Sequence, residues 1–395
     1  MPSPPHALVL GAGPTGSLLA LALAHCGWTV RLQDPLSPAQ LQDRQRAYAL
    51  THSTRRLLRR LGLWERLEPC LTPFRSLQLA DLGCDRELAF LPGDLGESAA
   101  GASSSAAAIG WIVQHQALMA RLLGQLEATA AIRTCLGQES PSTPPPAARE
   151  AEADAVFACD GPSSPTRQSL GVGCWQWVYR QACLTVQVRL RGCPDDTAME
   201  LLRPEGPFAV LPLGKGLFQL VWSAPLQRCR ALEQLSPAAF LDRLAGALPD
   251  GLQPEALLTP PRAFPVALQL SRRLQRGRTL LVGESAHRCH PVGGQGLNLC
   301  WRDIEALLPL AERVAAGRLA ASRLGGAYAR RRWPDLLLTL LATDLLVRLF
   351  SNRAALLLPP RQLALGLLGR SQGLRRLALA VMSQGPCWPL RHGAA

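Results

Sequence analysis

The segment Ala7–Gly16, ALVLGAGPTG, decides the fold predicted for this chain. An apolar tetrapeptide, predicted to be a buried strand, leads into a G-x-G-x-x-G turn, and a helical pattern follows. In such a turn Gly11 allows a tight bend, Gly13 lets a pyrophosphate approach the backbone, and Gly16 allows close helix–strand packing. Asp34 ends the next predicted strand, where a carboxylate can accept hydrogen bonds from ribose hydroxyls. The segment predicts a βαβ dinucleotide site and does not distinguish FAD from NAD.

A second glycine-rich segment lies nearly three hundred residues downstream. Gly283–Asp303 has the sequence GESAHRCHPVGGQGLNLCWRD and follows an apolar run, 279–282, that is predicted to be a strand. It contains a loop with Pro291 and a glycine pair, and a helical pattern begins at Gly296-Leu297-Asn298. A helix N-terminus offers unpaired backbone N–H groups and the positive end of a dipole. The segment therefore suits a phosphate or the electron-rich carbonyl edge of a flavin ring.

A third segment lies between these two. Asp160–Arg167, DGPSSPTR, follows a further predicted strand, 155–159. It matches the D-G-x-x-S-x-x-R motif of single-component flavin hydroxylases, so that the chain resembles the class A flavoprotein monooxygenases, which have the para-hydroxybenzoate hydroxylase-like fold. The resemblance implies an α/β fold: a Rossmann-type FAD-binding domain with an inserted β-sheet substrate domain and C-terminal helices.

A closer resemblance is to the ubiquinone-biosynthesis hydroxylases, which oxidise polyprenyl phenols. It is carried by Arg46–Leu50 (RAYAL), Leu61–Trp64 (LGLW), Gly206–Leu213 (GPFAVLPL), Thr343-Asp344 and Arg348–Asn352 (RLFSN). This resemblance covers nearly the whole chain. It implies an FAD-dependent enzyme that uses NAD(P)H and O₂ to hydroxylate a prenylated phenol through a flavin C4a-hydroperoxide.

The resemblance also implies the residues of the site. Pro291, Gly294 and Gln295 would form the loop at the reactive face of the flavin. Arg46 would reach the flavin and phosphate region, and Arg167 and Asp160 would brace the loop near the pyrophosphate. The full set of predicted cofactor-binding residues is Gly11, Gly13, Gly16, Asp34, Arg46, Gln114, Asp160, Gly161, Arg167, Gly283, Glu284, Gly296, Leu297 and Asn298.

The same resemblance predicts how the domains interleave along the chain. The FAD-binding domain would take residues 1–75, 100–172 and 269–335, and the substrate β-domain residues 76–99 and 173–268. Residues 336–395 would form a C-terminal helical region.

Two residues depart from the pattern of the family. Glu284 stands where members carry Asp or Asn, and Cys300 stands where they usually have Gly. Two alternatives therefore stay open: a flavin reductase of prenyl chains with the same fold, and a non-catalytic flavoprotein-like subunit that binds lipid and partner proteins. His287, Cys289 and His290 lie close together, but no further ligand set accompanies them, so no metal is predicted.

The positive charge of the chain lies mostly at its C-terminus. Of a formal net charge of +13, the segment from Arg318 onward contributes +10, among leucine-rich helical patterns rather than stacking aromatic residues. This argues against nucleic acid and fits an anionic membrane surface, a biosynthetic partner complex, a homo-oligomer interface, or simply a solvated helix face. The N-terminus lacks the pattern of a signal peptide. The sequence predicts a cytoplasmic protein, with peripheral attachment to the cytoplasmic membrane face as one alternative.

Overall fold

The computed structural model of the chain describes residues 3–95, 108–137 and 146–387. Its strands are β1 (His6–Leu10), β2 (Thr29–Asp34), β3 (Ala47–Leu50), β4 (Leu71–Phe74), β5 (Ser76–Asp81), β6 (Arg86–Phe90), β7 (Gly110–Gln114), β8 (Ile132–Leu136), β9 (Ala155–Ala158), β10 (Cys174–Arg191), β11 (Thr197–Leu202), β12 (Phe208–Gly214), β13 (Leu217–Pro225), β14 (Gln253–Leu257), β15 (Arg262–Ser271), β16 (Gln275–Arg276), β17 (Thr279–Leu281) and β18 (His287–Arg288).

The helices of the described residues are α1 (Pro14–His25), α2 (Pro38–Gln42), α3 (His52–Arg60), α4 (Trp64–Leu67), α5 (His115–Glu127), α6 (Pro146–Ala151), α7 (Pro165–Ser169), α8 (Leu226–Glu233), α9 (Pro237–Ala245), α10 (Gln295–Ala315), α11 (Ala321–Phe350), α12 (Leu358–Arg370) and α13 (Gln372–Gln384). The longest two, α10 and α11, follow the glycine-rich segment that begins at Gly283.

A six-stranded sheet forms the first layer, in the order β16-β17-β9-β1-β2-β8. All neighbours pair in parallel except β16 and β17. The central strands β1 and β9 are short apolar runs, because parallel strands covered by helices on both faces bury both sets of side chains. The α/β prediction with a Rossmann-type first domain is confirmed.

A nine-stranded sheet forms the second layer, in the order β18-β15-β10-β13-β12-β11-β5-β6, with β14 also paired to β10. Except for the parallel pair β5 and β11, its strands run antiparallel, and apolar side chains of one face pack against α8 and α9. A small third sheet, β3-β7-β4, contacts β12 of the nine-stranded sheet through β4 and β7, and β3 contacts α10.

The predicted boundary between residues 268 and 269 falls inside a strand, and the one between residues 335 and 336 falls inside α11. β15 continues to Ser271, beyond the predicted limit at residue 268, and β18 adds two residues of the glycine-rich segment to the edge of the nine-stranded sheet. The boundary between residues 99 and 100 lies outside the described residues.

The C-terminal helix α11 presents two different faces. One face, which includes Leu336, Leu340, Val347 and Phe350, is buried in the protein. The other carries exposed leucines, and Leu341 and Leu345 are each 64% exposed. The sequence pattern, apolar on more than one face, predicts burial in a subunit interface or against lipid, and within this chain only one face is covered.

Candidate flavin and substrate site

The three sequence motifs meet at one edge of the six-stranded sheet. Leu10, the last residue of β1, is level with Ala158 at the end of β9, and Ala158 is level with Leu281 at the end of β17. Because the three strands are parallel neighbours, the loops that follow them emerge side by side. Sequence segments up to 270 residues apart thus form one surface, at the carboxyl ends of the strands, where open α/β sheets bind ligands.

The first loop leaves space where a diphosphate would approach. A Cβ built on Gly16 would lie 1.8 Å from the Gly11 carbonyl oxygen, so α1 can pack against the loop only with glycine there. A Cβ on Gly13 would meet no atom within 4 Å. Gly13 is the N-cap of α1 and provides no side-chain cap, so that the first N–H groups of the helix face this open space.

Asp34 sits at the end of β2, next to the same loop. Its Oδ2 accepts a hydrogen bond from the Ala12 N–H at 2.7 Å, and its Oδ1 accepts one from the Leu36 N–H at 2.8 Å. Each carboxylate oxygen keeps a further lone pair. The carboxylate is therefore held rigidly by backbone donors and can still accept from a ribose hydroxyl.

The second loop is organised by Asp160 and Arg167. The Asp160 carboxylate accepts hydrogen bonds from the Ser164 hydroxyl and, at 2.9 Å, from the Thr166 N–H, which fixes the start of α7. The buried Arg167 guanidinium donates to the Pro162 carbonyl at 3.1 Å and to the Ser285 carbonyl at 2.8 Å. Arg167 therefore ties the second motif to the third and does not itself face the ligand space.

The third loop begins α10 with its N–H groups exposed to the cavity. Gly293 and Gly294 are consecutive left-handed residues, with φ values of +66° and +62°, and Gly294 is an N-cap without a side chain to cap the helix. Asn298 is completely buried: its Nδ2 donates to the Ala49 carbonyl at 2.7 Å, and its Oδ1 accepts from the Thr54 hydroxyl at 2.8 Å. The Asn298 side chain thus pins the helix start to the β3–α3 segment.

A buried ion network supports the third loop from behind. Asp303 accepts hydrogen bonds from the Gly283 N–H at 2.7 Å, His287 Nε2 at 2.8 Å and Arg332 Nε at 2.6 Å. Burial alone would raise the pKa of Asp303, but the neighbouring His287 ring and the Arg332 guanidinium outweigh it and hold that pKa below its usual range. Arg332 also donates to Asp335, which accepts from Arg302 as well, so that four charged groups of α10 and α11 compensate one another.

Arg46 belongs to a hydrogen-bond chain at the nucleotide side. Its Nε donates to the Tyr48 hydroxyl at 2.8 Å, the hydroxyl lies 2.8 Å from His115 Nδ1, and His115 Nε2 lies 2.8 Å from the Leu41 carbonyl. Burial lowers the pKa of His115 to about 4, so the ring is neutral. A neutral ring that donates to Leu41 must accept at Nδ1, and the Tyr48 hydroxyl therefore donates to it. This chain fixes the direction of the Arg46 side chain.

These loops line one cavity of about 2080 Å³, well above the ~300–1,000 Å³ of ordinary ligand pockets. The cavity runs from the first loop, past the third loop, to the nine-stranded sheet and the C-terminal helices. The predicted site residues that line it are Gly11, Gly13, Asp34, Arg46, Asp160, Gly161, Glu284, Pro291, Gly294, Gln295, Gly296 and Leu297.

Five predicted cofactor-binding residues do not line the cavity: Gly16, Gln114, Arg167, Gly283 and Asn298. Gly16 and Gly283 serve close packing, since a Cβ on Gly283 would lie 2.9 Å from a Thr15 methyl carbon. Gln114 ends β7 and pairs with Ala47 of β3. Ala47 lines the cavity, whereas Gln114 does not. The side chains of Arg167 and Asn298 contact other protein groups and hold the loops in place.

Several cavity residues escaped the sequence analysis. Tyr48 lies inside the RAYAL motif, yet only the fold brings it to His115. Glu200 lies in the apolar strand β11 and faces the cavity. A lone carboxylate in the run TAMELL is the signal that could have identified Glu200, because buried strands rarely carry an unpaired charge.

The geometry fits FAD on three observations. The open space at Gly13 admits a pyrophosphate. The Asp34 carboxylate can accept a hydrogen bond from a ribose hydroxyl. The uncapped N-terminus of α10 faces the part of the cavity in which an isoalloxazine ring would lie. The cavity continues beyond this position as an apolar space, so a second ligand fits beside the dinucleotide.

Comparison with known proteins agrees with this geometry. The FAD binding domain family matches residues 6–79 and 129–334. The ubiquinone hydroxylase UbiL of Rhodospirillum rubrum is 32% identical over 403 residues, covering 96% of this chain and 90% of the relative. The 3-demethoxyubiquinol 3-hydroxylase of Escherichia coli is 28% identical, covering 95% of this chain and 97% of the relative.

The fold also matches solved structures. The p-nitrophenol 4-monooxygenase of Pseudomonas putida superposes with a TM-score of 0.73 at 17% identity, covering 98% of this chain and all of the other. The resemblance that the motifs indicated, and the prediction of FAD, are confirmed. The chain belongs to the FAD binding domain family and, within it, to the flavin monooxygenases related to the ubiquinone hydroxylases.

Proposed function

We propose that this protein uses NAD(P)H and O₂ to hydroxylate the ring of a prenylated phenol in quinone biosynthesis. The family relationship supports a flavin monooxygenase, and the names of its relatives support a quinone precursor as substrate. We further propose the predicted residue roles at the flavin and the predicted division into an FAD-binding domain and a substrate β-domain.

The observation that carries the proposal is the apolar end of the cavity. Beyond the Pro291–Gln295 loop the cavity passes between the nine-stranded sheet and the C-terminal helices. Its lining there is almost entirely hydrocarbon: Phe74, Leu77, Leu79, Phe90, Ile109, Ala198, Leu202, Leu211, Leu346, Leu349, Phe350, Ala364, Leu365, Leu368, Leu379 and Met382. A hydrocarbon chain gains about 0.8 kcal/mol for each CH₂ group that it buries, so this space favours a phenol with a prenyl tail.

The protein residues supply orientation and exclusion of water. Bound FAD supplies the transfer of electrons and the activation of O₂. With FAD bound, the backbone N–H groups from Gly294 to Leu297 would lie near the ring edge where negative charge collects on reduction, and a helix N-terminus stabilises such charge. Pro291 and the apolar lining keep water from the space between flavin and phenol.

The direct test uses the purified, FAD-loaded protein. We expect a prenylated phenol to stimulate NAD(P)H oxidation and to yield a product that has gained one oxygen atom, as seen by mass spectrometry. Stoichiometric hydrogen peroxide without a hydroxylated product, for every phenol tried, would contradict the hydroxylase. Saturation of prenyl double bonds would instead identify a reductase, and failure to retain flavin would favour the non-catalytic subunit.

We also propose that the exposed leucines of α11 dock on an anionic membrane surface. Leu341 and Leu345 are the most exposed, and Leu346, 43% exposed, lines the cavity as well. Trp177 of β10 is 56% exposed, and the Arg348 guanidinium lies 5.0 Å from its ring centroid. Leucine, tryptophan and arginine side by side suit a lipid surface. Among the described residues no helix is long and apolar enough to span a membrane.

Sedimentation with liposomes tests the docking surface. We expect the protein to bind anionic vesicles, with binding weakened by salt and by the double substitution Leu341→Ser, Leu345→Ser. Leu258→Ser is the matched control, since Leu258 is 44% exposed but lies after β14, away from α11. Equal binding by both variants, or no binding of the wild type at any salt concentration, would contradict the proposal. Self-association that the double substitution abolishes would instead favour a homo-oligomer interface.

A further inference from the structure

One row of side chains crosses the cavity face of the nine-stranded sheet. Successive strand pairings join Leu79 to Glu200, Glu200 to Ala209, Ala209 to Val221, Val221 to Thr185 and Thr185 to Arg262. Residues directly opposite each other share a face of a sheet, and all six line the cavity. Glu200 is the single carboxylate of this row, with apolar residues on both sides.

Glu200 faces the loop at the reactive side of the proposed flavin position. The Gly293 N–H, from the turn between Pro291 and Gln295, lies near its carboxylate and favours the charged form. The side chain is otherwise surrounded by protein and cavity: burial raises the pKa of Glu200 to about 7, against the opposing effect of the Gly293 N–H. A carboxyl group with this pKa can both accept and release a proton near neutral pH.

The charged groups near Glu200 do not neutralise it. On its own sheet the nearest charged member of the row is Arg262, four strands away. The third loop contributes Glu284, His287 and Arg288 to the cavity lining, and the nucleotide side contributes Asp34, Arg44, Arg46 and Asp160. Among the described residues no charged side chain contributes to the pKa shift of Glu200, and Glu200 belongs to no described ion pair. Its unused acceptor capacity points into the cavity.

We propose that Glu200 accepts the hydroxyl proton of the phenol substrate and thereby activates the ring. This inference rests on the proposed function. It places the phenol head group between the Pro291–Gln295 loop and β11, with its tail directed to the apolar end of the cavity.

The proton step is simple to balance. The phenolic O–H bond breaks, a bond forms between that proton and a Glu200 oxygen, and the negative charge moves from the carboxylate to the phenolate. No electrons are exchanged with another group. A phenolate ring is more electron-rich than a phenol, so that it accepts an electrophilic oxygen atom more readily.

A binding measurement tests the recognition step without turnover. A short-chain prenyl phenol and its methyl ether are titrated into the FAD-loaded protein, with the flavin absorption as the signal. If only ionised Glu200 accepts the hydroxyl, phenol affinity rises about tenfold between about pH 6 and about pH 8, in proportion to the ionised fraction. The ether has no proton to donate, and its affinity does not rise. Glu200→Gln has the same size but does not ionise, and it makes the phenol response flat.

The controls separate this role from a structural one. Glu87→Gln, an exposed carboxylate on β6 of the same sheet, should behave as wild type. Glu200→Asp should retain the rise of phenol affinity with pH. A Glu200→Gln variant that keeps the tenfold rise, or an ether that shows the same rise in the wild type, would overturn the proposal.

Turnover then distinguishes the two proposals. With Glu200→Gln we expect NAD(P)H oxidation to continue while the yield of hydroxylated product falls at least about tenfold, in the lower range for removal of a general base. An unchanged yield would overturn the role of Glu200. If the wild type shows the predicted phenol binding but hydroxylates no phenol, the hydroxylase is refuted and Glu200 stands as the acceptor of the phenol hydroxyl.

Discussion

The two ends of the cavity are built in opposite ways. At the nucleotide end, three short sequence motifs supply the loops, and their glycines and backbone N–H groups form most of the surface. At the apolar end, single side chains from β5, β6, β11 and β12 and from α11 to α13 share one space. The first end requires particular residues at fixed positions. The second end requires only apolar side chains of suitable size.

This difference predicts unequal tolerance to substitution. Where backbone forms the surface, an added side-chain atom clashes with atoms that cannot move, so few substitutions are tolerated. Where apolar side chains form the surface, they can repack around a change. The ion network behind the third loop should have an intermediate tolerance to substitution. Each of its buried charges needs a charged partner, and water cannot take the place of that partner. Substitutions at the two ends test this order, beginning with the largest expected effect.

The glycines of the first loop should separate folding from cofactor binding. Gly16→Ala places a Cβ against the Gly11 carbonyl oxygen, and we expect a loss of about 3 kcal/mol or more in the free energy of unfolding. Gly13→Ala meets open space, so the apoprotein should stay within about 1 kcal/mol of the wild type while FAD affinity falls at least tenfold. Urea unfolding and flavin fluorescence titration measure the two quantities. Normal FAD binding by Gly13→Ala would place the diphosphate elsewhere.

The buried network should give the next largest effect. Asp303→Asn leaves Arg332 without its full countercharge, and we expect a loss of about 3–5 kcal/mol in unfolding free energy. Because the pKa of Asp303 is lowered in the folded protein, its contribution is present above the ordinary Asp pKa and is lost as the pH falls below about 4. The variant should show less of this acid-dependent loss.

A surface ion pair provides the control for this substitution. Glu152 pairs with Arg31, and their side chains are 61% and 41% exposed. Glu152→Gln should cost less than about 1 kcal/mol because solvent screens such pairs. If the two substitutions lowered the free energy of unfolding equally, burial of the ion pairs would not explain the effect of Asp303→Asn.

At the apolar end, filling the cavity should change substrate choice and leave the fold intact. Ala364 of α12 lines the cavity, and Ala364→Phe would occupy the volume proposed for the prenyl tail. We expect kcat/KM for a long-chain phenol to fall about tenfold or more, against a change of less than threefold for a phenol without a tail, since each displaced CH₂ group forfeits about 0.8 kcal/mol. An equal fall for both substrates would argue that the tail lies elsewhere.

The smallest effect is expected at the departure from the family pattern. Cys300 is buried inside α10, where burial raises its pKa far above the ordinary value, so that it is a neutral thiol. Cys300→Ala removes one sulfur atom in contact with the first loop. FAD affinity should stay within about threefold and the unfolding free energy within about 1.5 kcal/mol. A larger loss of FAD would show that the thiol replaces a family glycine for a reason linked to the cofactor.

The sequence analysis was most successful where the chemistry is local. Gly11, Gly13 and Gly16 could be identified because a turn that receives a diphosphate has steric demands which only glycine meets. The sequence does not give the partners of the Arg167 and Asn298 side chains. The Ser285 carbonyl that accepts from Arg167 and the Thr54 hydroxyl that donates to Asn298 come from distant segments. For the same reason Glu200 was overlooked.

The sequence by itself determined the βαβ nucleotide unit, the family and FAD, because glycine spacing, strand and helix patterns and one carboxylate are properties of short segments. Only the tertiary structure decided which faces are covered. It left one side of α11 exposed, aligned β1, β9 and β17 so that three loops meet, and aligned six strands so that Glu200 lines the cavity near Gly293. The physical reason is that burial and alignment depend on neighbours that lie hundreds of residues away.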